Sequence, residues 1–165
     1  MTNTVYVSQE DREEPPPALA RNIEAFALAV LGELGISGWE LSILLCSDRF
    51  IRGLNAQFRR RDEPTDVLSF ANGEEVPADG GGTVTLAGDI AVSLETMRRN
   101  CAAFGAAPNE ELKRLIVHGI LHLAGYDHGD SLGDTGDPPS PMLAVQETVL
   151  QKFHGEVILG DDDGD

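Results

Sequence analysis

Apolar and polar positions repeat along this chain with a period that changes from segment to segment, and the changes mark its elements. In "PPPALARNIEAFALAVLGELGIS" the apolar residues return every three or four positions, which predicts an amphipathic helix entered through the prolines and stopped near Gly35. "WELSILLCS" is a short aliphatic run and predicts a buried strand, opened by Trp39 with its ring in the core. Ser47 is placed to cap a second helix whose apolar side is Phe50, Ile51, Leu54 and Phe58. "DEPTD" predicts a turn, because Pro64 disfavours helix at the residue before it. "VLSF" reads as a short strand and "ANGEEVPADGGG" as an exposed loop full of breakers. "TVTLAGDIAVS" alternates like a strand, and Ser93 is placed to cap a helix reaching about Phe104.

Asn109 predicts the cap of the next helix, with Glu110 and Glu111 suiting the positive end of its dipole. Leu112, Leu115, Ile116, Ile120 and Leu123 give this helix an apolar stripe, and Val117 and Leu121 widen it until the helix reads as mostly buried. "GDSLGDTGDPPSP" is expected as a loop and "MLAVQETVLQKF" as a closing helix. There is no internal repeat and no linker, so residues 1–160 are expected as a single domain and 161–165 as an acidic, solvated and disordered tail.

Composition narrows the class. A chain of 165 residues is long enough to bury a core without crosslinks. Its mean hydropathy of −0.15 is ordinary for a globular protein. No apolar run approaches the roughly 18 residues of a membrane-spanning helix, and the N-terminus lacks the basic and apolar regions of a signal peptide. Cys46 and Cys101 have no CxxC spacing and are expected as buried free thiols. These features predict the reducing cytoplasm and no membrane partner.

Charge alters the picture more than composition does. The formal net charge of −16 opposes phosphate binding, but it is unevenly distributed. Residues 1–38 carry 6 acidic and 2 basic side chains, and residues 129–165 carry 9 and 1, so only −4 belongs to the middle of the chain. Five of the twelve basic residues fall between Arg49 and Arg61. Overall charge therefore does not exclude a nucleic acid.

The chemistry concentrates in "HGILHLAGYDH", which holds three of the four histidines at 118, 122 and 128. Residues four apart share one face of a helix, so His118 and His122 can point into one pocket. Gly125 falls where a left-handed residue would end the helix and bring His128 back to the same point. Three imidazoles with one vacant position is the arrangement of catalytic zinc, although nickel, copper or iron suit the same donors. The spacing parallels the metzincin signature, in which ligands fall at steps 0, 4 and 10 with glycine at step 7. The signature's glutamate base is replaced here by Gly119, which removes the usual acid–base partner of peptide hydrolysis. A metal can still lower the pKa of its water to about 7, and metal with arginine suits phosphodiester cleavage.

The second informative stretch is "LNAQFRRRDEPTDVLSF", where an arginine run ends a helix. By itself it reads as a charged helix terminus complementing the dipole; beside a metal it would suit a nucleic-acid backbone. Asp89 in "GDI" is read as either a carboxylate holding a ligand histidine or facing substrate, or a strand-end cap. Asp127 is left open, Glu147 is expected as a surface residue or a helix partner, and His154 is expected at the surface.

Together, "LNAQFRRRDEPTDVLSF", "LAGDIAVS" and "HGILHLAGYDH" resemble the YbeY family, metal-dependent endoribonucleases of ribosomal RNA maturation, over roughly residues 40–150. The resemblance implies an α+β single domain with a small mixed sheet of about four strands, about five helices and a zincin-like metal helix. It implies one Zn2+ on His118, His122 and His128, with Ni2+ a possible substitute, and Arg59 as the arginine important for activity. Arg60, Arg61 and Asp89 are expected near substrate. The implied partners are single-stranded rRNA and the ribosomal small subunit or its assembly factors; the implied function is 16S rRNA 3′-end maturation and ribosome quality control. Oligomeric state is not set. The long acidic loop after His128 and the "GDDDGD" tail depart from the family pattern. Two alternatives stay open: a metalloprotease-like hydrolase recruiting Glu110, Glu111 or Asp89 as base, and a non-catalytic assembly factor stabilised by metal.

Overall fold

The computed structural model describes residues 2–10, 15–126 and 141–160. Within them, the chain forms β1 (Thr4–Gln9), α1 (Pro17–Glu33), β2 (Trp39–Cys46), α2 (Asp48–Arg59), β3 (Val67–Pro77), β4 (Thr83–Ser93), α3 (Leu94–Phe104), α4 (Pro108–Leu123) and α5 (Pro141–Lys152). The four strands make one sheet in the order β1-β2-β4-β3. β1 and β4 both run parallel to β2, and β3 pairs antiparallel with β4 at the edge. This is the α+β architecture with a mixed four-stranded sheet that the resemblance implies. The acidic loop at 129–141 falls outside the described residues except for its last position, and the 161–165 tail falls outside entirely.

One face of the sheet carries the main core. Leu41, Ile43 and Leu45 of β2 and Ile90 and Val92 of β4 pack against Ile23, Phe26 and Val30 of α1 and Leu112, Ile116 and Ile120 of α4. Residues two apart on a strand share a face, so the other face shows Leu44, Leu68, Phe70 and Ala91. Among the described residues it carries α2, through a small cluster of Ile51, Cys46, Leu68 and Ala91 with Leu54 and Phe70 beside it. The expected apolar side of α2 is therefore only partly used: Ile51 is fully buried, but Phe50 and Phe58 are 38% and 51% exposed.

Several predicted signals hold. Ser47 Oγ accepts from the Phe50 N–H and Ser93 Oγ accepts from the Thr96 N–H, capping α2 and α3. Gly35 takes a positive φ of 72° just past α1. Cys46 and Cys101 are buried and form no disulfide.

Two expectations change, and one strand has no counterpart in the sequence reading. Asn109 does not cap α4: that helix starts with Pro108 in its first turn, where the missing N–H costs nothing. Asn109 instead accepts from the backbone N–H groups of Ile158 and Leu159 and donates to the Glu156 carbonyl, pinning the C-terminal segment. Of the loop expected at 71–82, residues 71–77 form the outer half of β3, where pairing with β4 satisfies the backbone although the side chains are polar. β1 escapes the sequence reading because six residues with an exposed Tyr6 give little periodicity; the parallel partner β2 stabilises it.

Close approach explains one glycine. β4 shifts register near Ala87, and Gly88 there has φ 140°. A Cβ on Gly88 would lie 2.1 Å from the Phe70 carbonyl oxygen and 3.1 Å from a Leu123 methyl, so only glycine fits where β3, β4 and the end of α4 meet.

Candidate active site

His118 and His122 stand one turn apart on α4, both half-buried. They open into a single cavity of about 260 Å³, also lined by Arg59, Val67, Leu68 and Ser69. The helix is held against the sheet on its adjacent face. A Cβ on Gly119 would lie 2.7 Å from the Ile90 Cδ1, so the position of the metzincin glutamate points into packed core. Glycine at 119 is what lets α4 sit this close, and a carboxylate there would have no route to substrate.

Beyond His122 the helix stops as the spacing requires. Gly125 adopts φ 95°, its N–H donates to the His122 carbonyl, and the Tyr126 N–H donates to the Leu121 carbonyl. These two bonds form a Schellman motif, which ends the helix and redirects the chain. His128 and Asp127, the next residues of interest, lie outside the described residues. Among the described residues, no third histidine, cysteine or carboxylate joins the pair.

A residue that the motif does not contain orients one imidazole. His118 Nδ1 lies 3.1 Å from Oε1 of Gln146 on α5, a side chain only 4% exposed. An amide oxygen accepts, so Nδ1 carries the proton and Nε2 keeps the lone pair that a cation needs. The signal was present in sequence: Met142, Gln146 and Val149 share the buried side of α5, and a glutamine on an apolar face needs a partner. The donors fit a divalent transition metal: two imidazoles on one helical face, one with its outer nitrogen already engaged.

Arg59 ends α2 and reaches around the edge strand. Its Nη2 donates to the Ser69 carbonyl at 2.9 Å, and its guanidinium carbon lies 5.3 Å from the centre of the Phe70 ring. Asn55 shapes the turn that permits this, since its Nδ2 donates to the Glu63 carbonyl at 2.8 Å and its own carbonyl accepts from Arg61. Arg60 follows in the left-handed conformation at φ 59°. Arg60 and Arg61 are both exposed, with Arg61 3.8 Å from Glu63.

Asp89 is not beside the histidines. It pairs across from Phe70 on the α2 side of the sheet, whereas its neighbour Ile90 packs under α4. Strand alternation thus keeps the Asp89 carboxylate from accepting a hydrogen bond from His118 or His122. Nor do the glutamates of α4 reach the cavity. Glu110 pairs with the buried Lys113 and Glu111 with Arg114, seven or more residues before His118 and about 10 Å away along the axis. Burial, together with the nearby Asp66, raises the Glu111 carboxyl above its usual range, against the pull of Arg114.

The family model of the endoribonuclease YbeY matches residues 5–154. This chain belongs to the YbeY family. It is 45% identical to the endoribonuclease YbeY of Treponema denticola over 154 residues, covering 93% of this chain and 95% of that protein. The YbeY of Treponema pallidum (strain Nichols) is 48% identical over 136 residues, 82% of this chain and 81% of the relative. A Thermotoga maritima protein solved in solution superposes with a TM-score of 0.60 at 26% identity, covering 98% of this chain and 99% of that one. Membership in YbeY also makes the cavity with Arg59 and the two histidines the natural place to look for its chemistry. No helix among the described residues is long and apolar enough to cross a membrane.

Proposed function

We propose that this protein is a metal-dependent endoribonuclease that cuts single-stranded RNA, and that its substrate is the 3′ end of small-subunit rRNA. One observation carries the reading: in a chain of the YbeY family, Arg59 and the pair His118 and His122 line the same cavity. His118, His122 and His128 would hold one Zn2+ or a similar ion. When bound there, such an ion supplies a Lewis acid beside the scissile phosphate. Gln146 keeps the proton of His118 on Nδ1 and turns Nε2 toward the cavity. Arg59, anchored at Ser69, presents its remaining N–H donors to a phosphoryl oxygen and stabilises the charge that grows there. Among the described residues no carboxylate lines the cavity, and position 119 is buried; both weigh against peptide hydrolysis. Ribosomal small-subunit particles and their assembly factors are the proposed partners, and the cytoplasm is the proposed location.

The test separates metal from chemistry. His118→Ala is expected to lose the metal by elemental analysis and to lose cleavage with it. Arg59→Ala is expected to retain the metal and lose cleavage of single-stranded RNA by about 10²–10³-fold, the usual cost of a transition-state donor. An Arg59→Ala protein that cuts at the wild-type rate overturns the role given to Arg59.

A further inference from the structure

α2 covers the second face of the sheet incompletely and leaves an apolar groove beside it. Beside the helix lies a groove of about 380 Å³ walled by Leu44, Leu54, Phe50, Phe58 and Phe70, with Asp89 at its rim. Phe58 and Phe70 meet edge to face, centroids 5.2 Å apart at 67°, and Phe58 leaves half of its surface open. Phe70 packs beside the small core cluster while Phe58 stays exposed, so the pair presents an apolar aromatic edge to solvent.

The groove and the candidate active site share no wall, but Arg59 links them. Arg59 lies over Phe70 on the α2 side and lines the cavity of His118 and His122 on the other. A phosphate held by Arg59 would therefore place an adjoining base against Phe58 and Phe70. At the far end of α2, Arg49 lines a neighbouring hollow that shares Phe50 and Leu54 with the groove. Arginines thus stand at both ends of an apolar trough, ten residues or about 15 Å apart along the helix. In a chain of net charge −16, this is the face that suits a polyanion with flat apolar bases.

We propose that this groove is a nucleobase subsite for the single-stranded RNA substrate, in which Phe58 and Phe70 stack one base next to the scissile phosphate and Asp89 accepts a hydrogen bond from its exocyclic amino group. Asp89 favours cytosine, adenine or guanine over uracil, which offers no such donor. The inference rests on the endoribonuclease reading and adds to it a determinant of sequence preference.

Stacking is read directly with 2-aminopurine, whose fluorescence is quenched when it stacks. The full-length, metal-loaded protein is titrated into short 2′-O-methylated single strands carrying the probe at successive positions. Quenching is expected at one position. Phe58→Ala, a change at an exposed site, is expected to abolish it and to raise Kd at least about fivefold. Asp89→Asn is expected to keep the quenching and erase the preference for an amino-bearing base over uracil in competition. Absence of quenching in the wild type, or superimposable titrations for Phe58→Ala, overturns the subsite; an unchanged base preference in Asp89→Asn overturns the role of Asp89. Cleavage of unmodified RNA by the same preparation tests the endoribonuclease reading separately. Cutting without quenching sinks the subsite alone, whereas quenching without cutting sinks the catalytic reading alone.

Discussion

Gln146 shows how much of the proposed metal site would rest on a residue that no motif includes. A histidine has two nitrogens, and a neutral ring offers a lone pair on only one. With Gln146 Oε1 at 3.1 Å from Nδ1, the choice is made before any cation arrives. Outer hydrogen-bond partners of ligating histidines typically contribute about 10–100-fold to metal affinity. Gln146→Leu, which keeps the volume and removes the acceptor, is expected to weaken zinc binding by about that factor in a chelator competition. Gln146→Glu, which restores an acceptor, is expected to recover most of it. Equal zinc affinity in all three proteins would show that Gln146 does not orient His118. The residue was legible as a polar side chain on an apolar face, but its partner, 28 positions away, was not.

Among elements, α2 matters most, because it carries the arginines and one wall of the proposed subsite, and its position is held by a polar knot at its start. The Asp48 carboxylate accepts from Ser93 Oγ at 2.6 Å, Thr96 Oγ1 at 2.5 Å and Arg99 Nη1 at 2.5 Å. In return the Asp48 N–H donates to Glu95 at 3.1 Å, so the N-termini of α2 and α3 cap one another. Burial pushes the Asp48 carboxyl up, but hydrogen bonds from Ser93, Thr96 and Arg99 and the charge of Arg99 outweigh it, holding the group below its ordinary 3.8. A depressed carboxyl contributes stability above the unfolded value and loses it as pH falls through the folded value. Asp48→Asn is therefore expected to lower stability by about 1–3 kcal/mol at pH 7. Urea titrations should show that gap closing only below pH 3.8, as the wild-type carboxylate takes up its proton. A gap that stays constant down to pH 2 would mean that the charge of Asp48 contributes nothing. The serine caps at both ends of this knot were readable from sequence because a cap is a local signal. The knot was not, since Asp48 and Thr96 are 48 residues apart.

At the scale of the whole molecule, an acidic chain presents a basic helix. Arg52 is bonded to Asp62 at 2.8 Å and Arg61 lies near Glu63, which leaves Arg49, Arg59 and Arg60 as the arginines best placed for phosphates. RNA affinity is thus expected to fall as salt rises, with a slope set by the few arginines that touch phosphate rather than by the net charge of −16. Replacing Arg49 by Gln is expected to weaken binding without regard to base sequence and to reduce the slope of log K against log salt by about one. A slope that does not change would place the RNA backbone away from the start of α2.

Local signals determined a great deal. The spacing of His118, His122 and Gly125, the serine caps, and the apolar periods of α1 and α4 each depend on residues within a turn or two of one another, so the chain states them without help. Tertiary structure decided what depends on which face of a strand looks where. Alternation along β4 buries Ile90 beneath α4 and turns Asp89 away from the histidines toward Phe70. Pairing at the sheet edge makes a strand of polar residues 71–77, and packing leaves Phe50 and Phe58 uncovered on a helix whose pattern predicted burial. Amphipathic patterning says that a side chain prefers an apolar neighbour; only the arrangement of the other elements determines whether one is there.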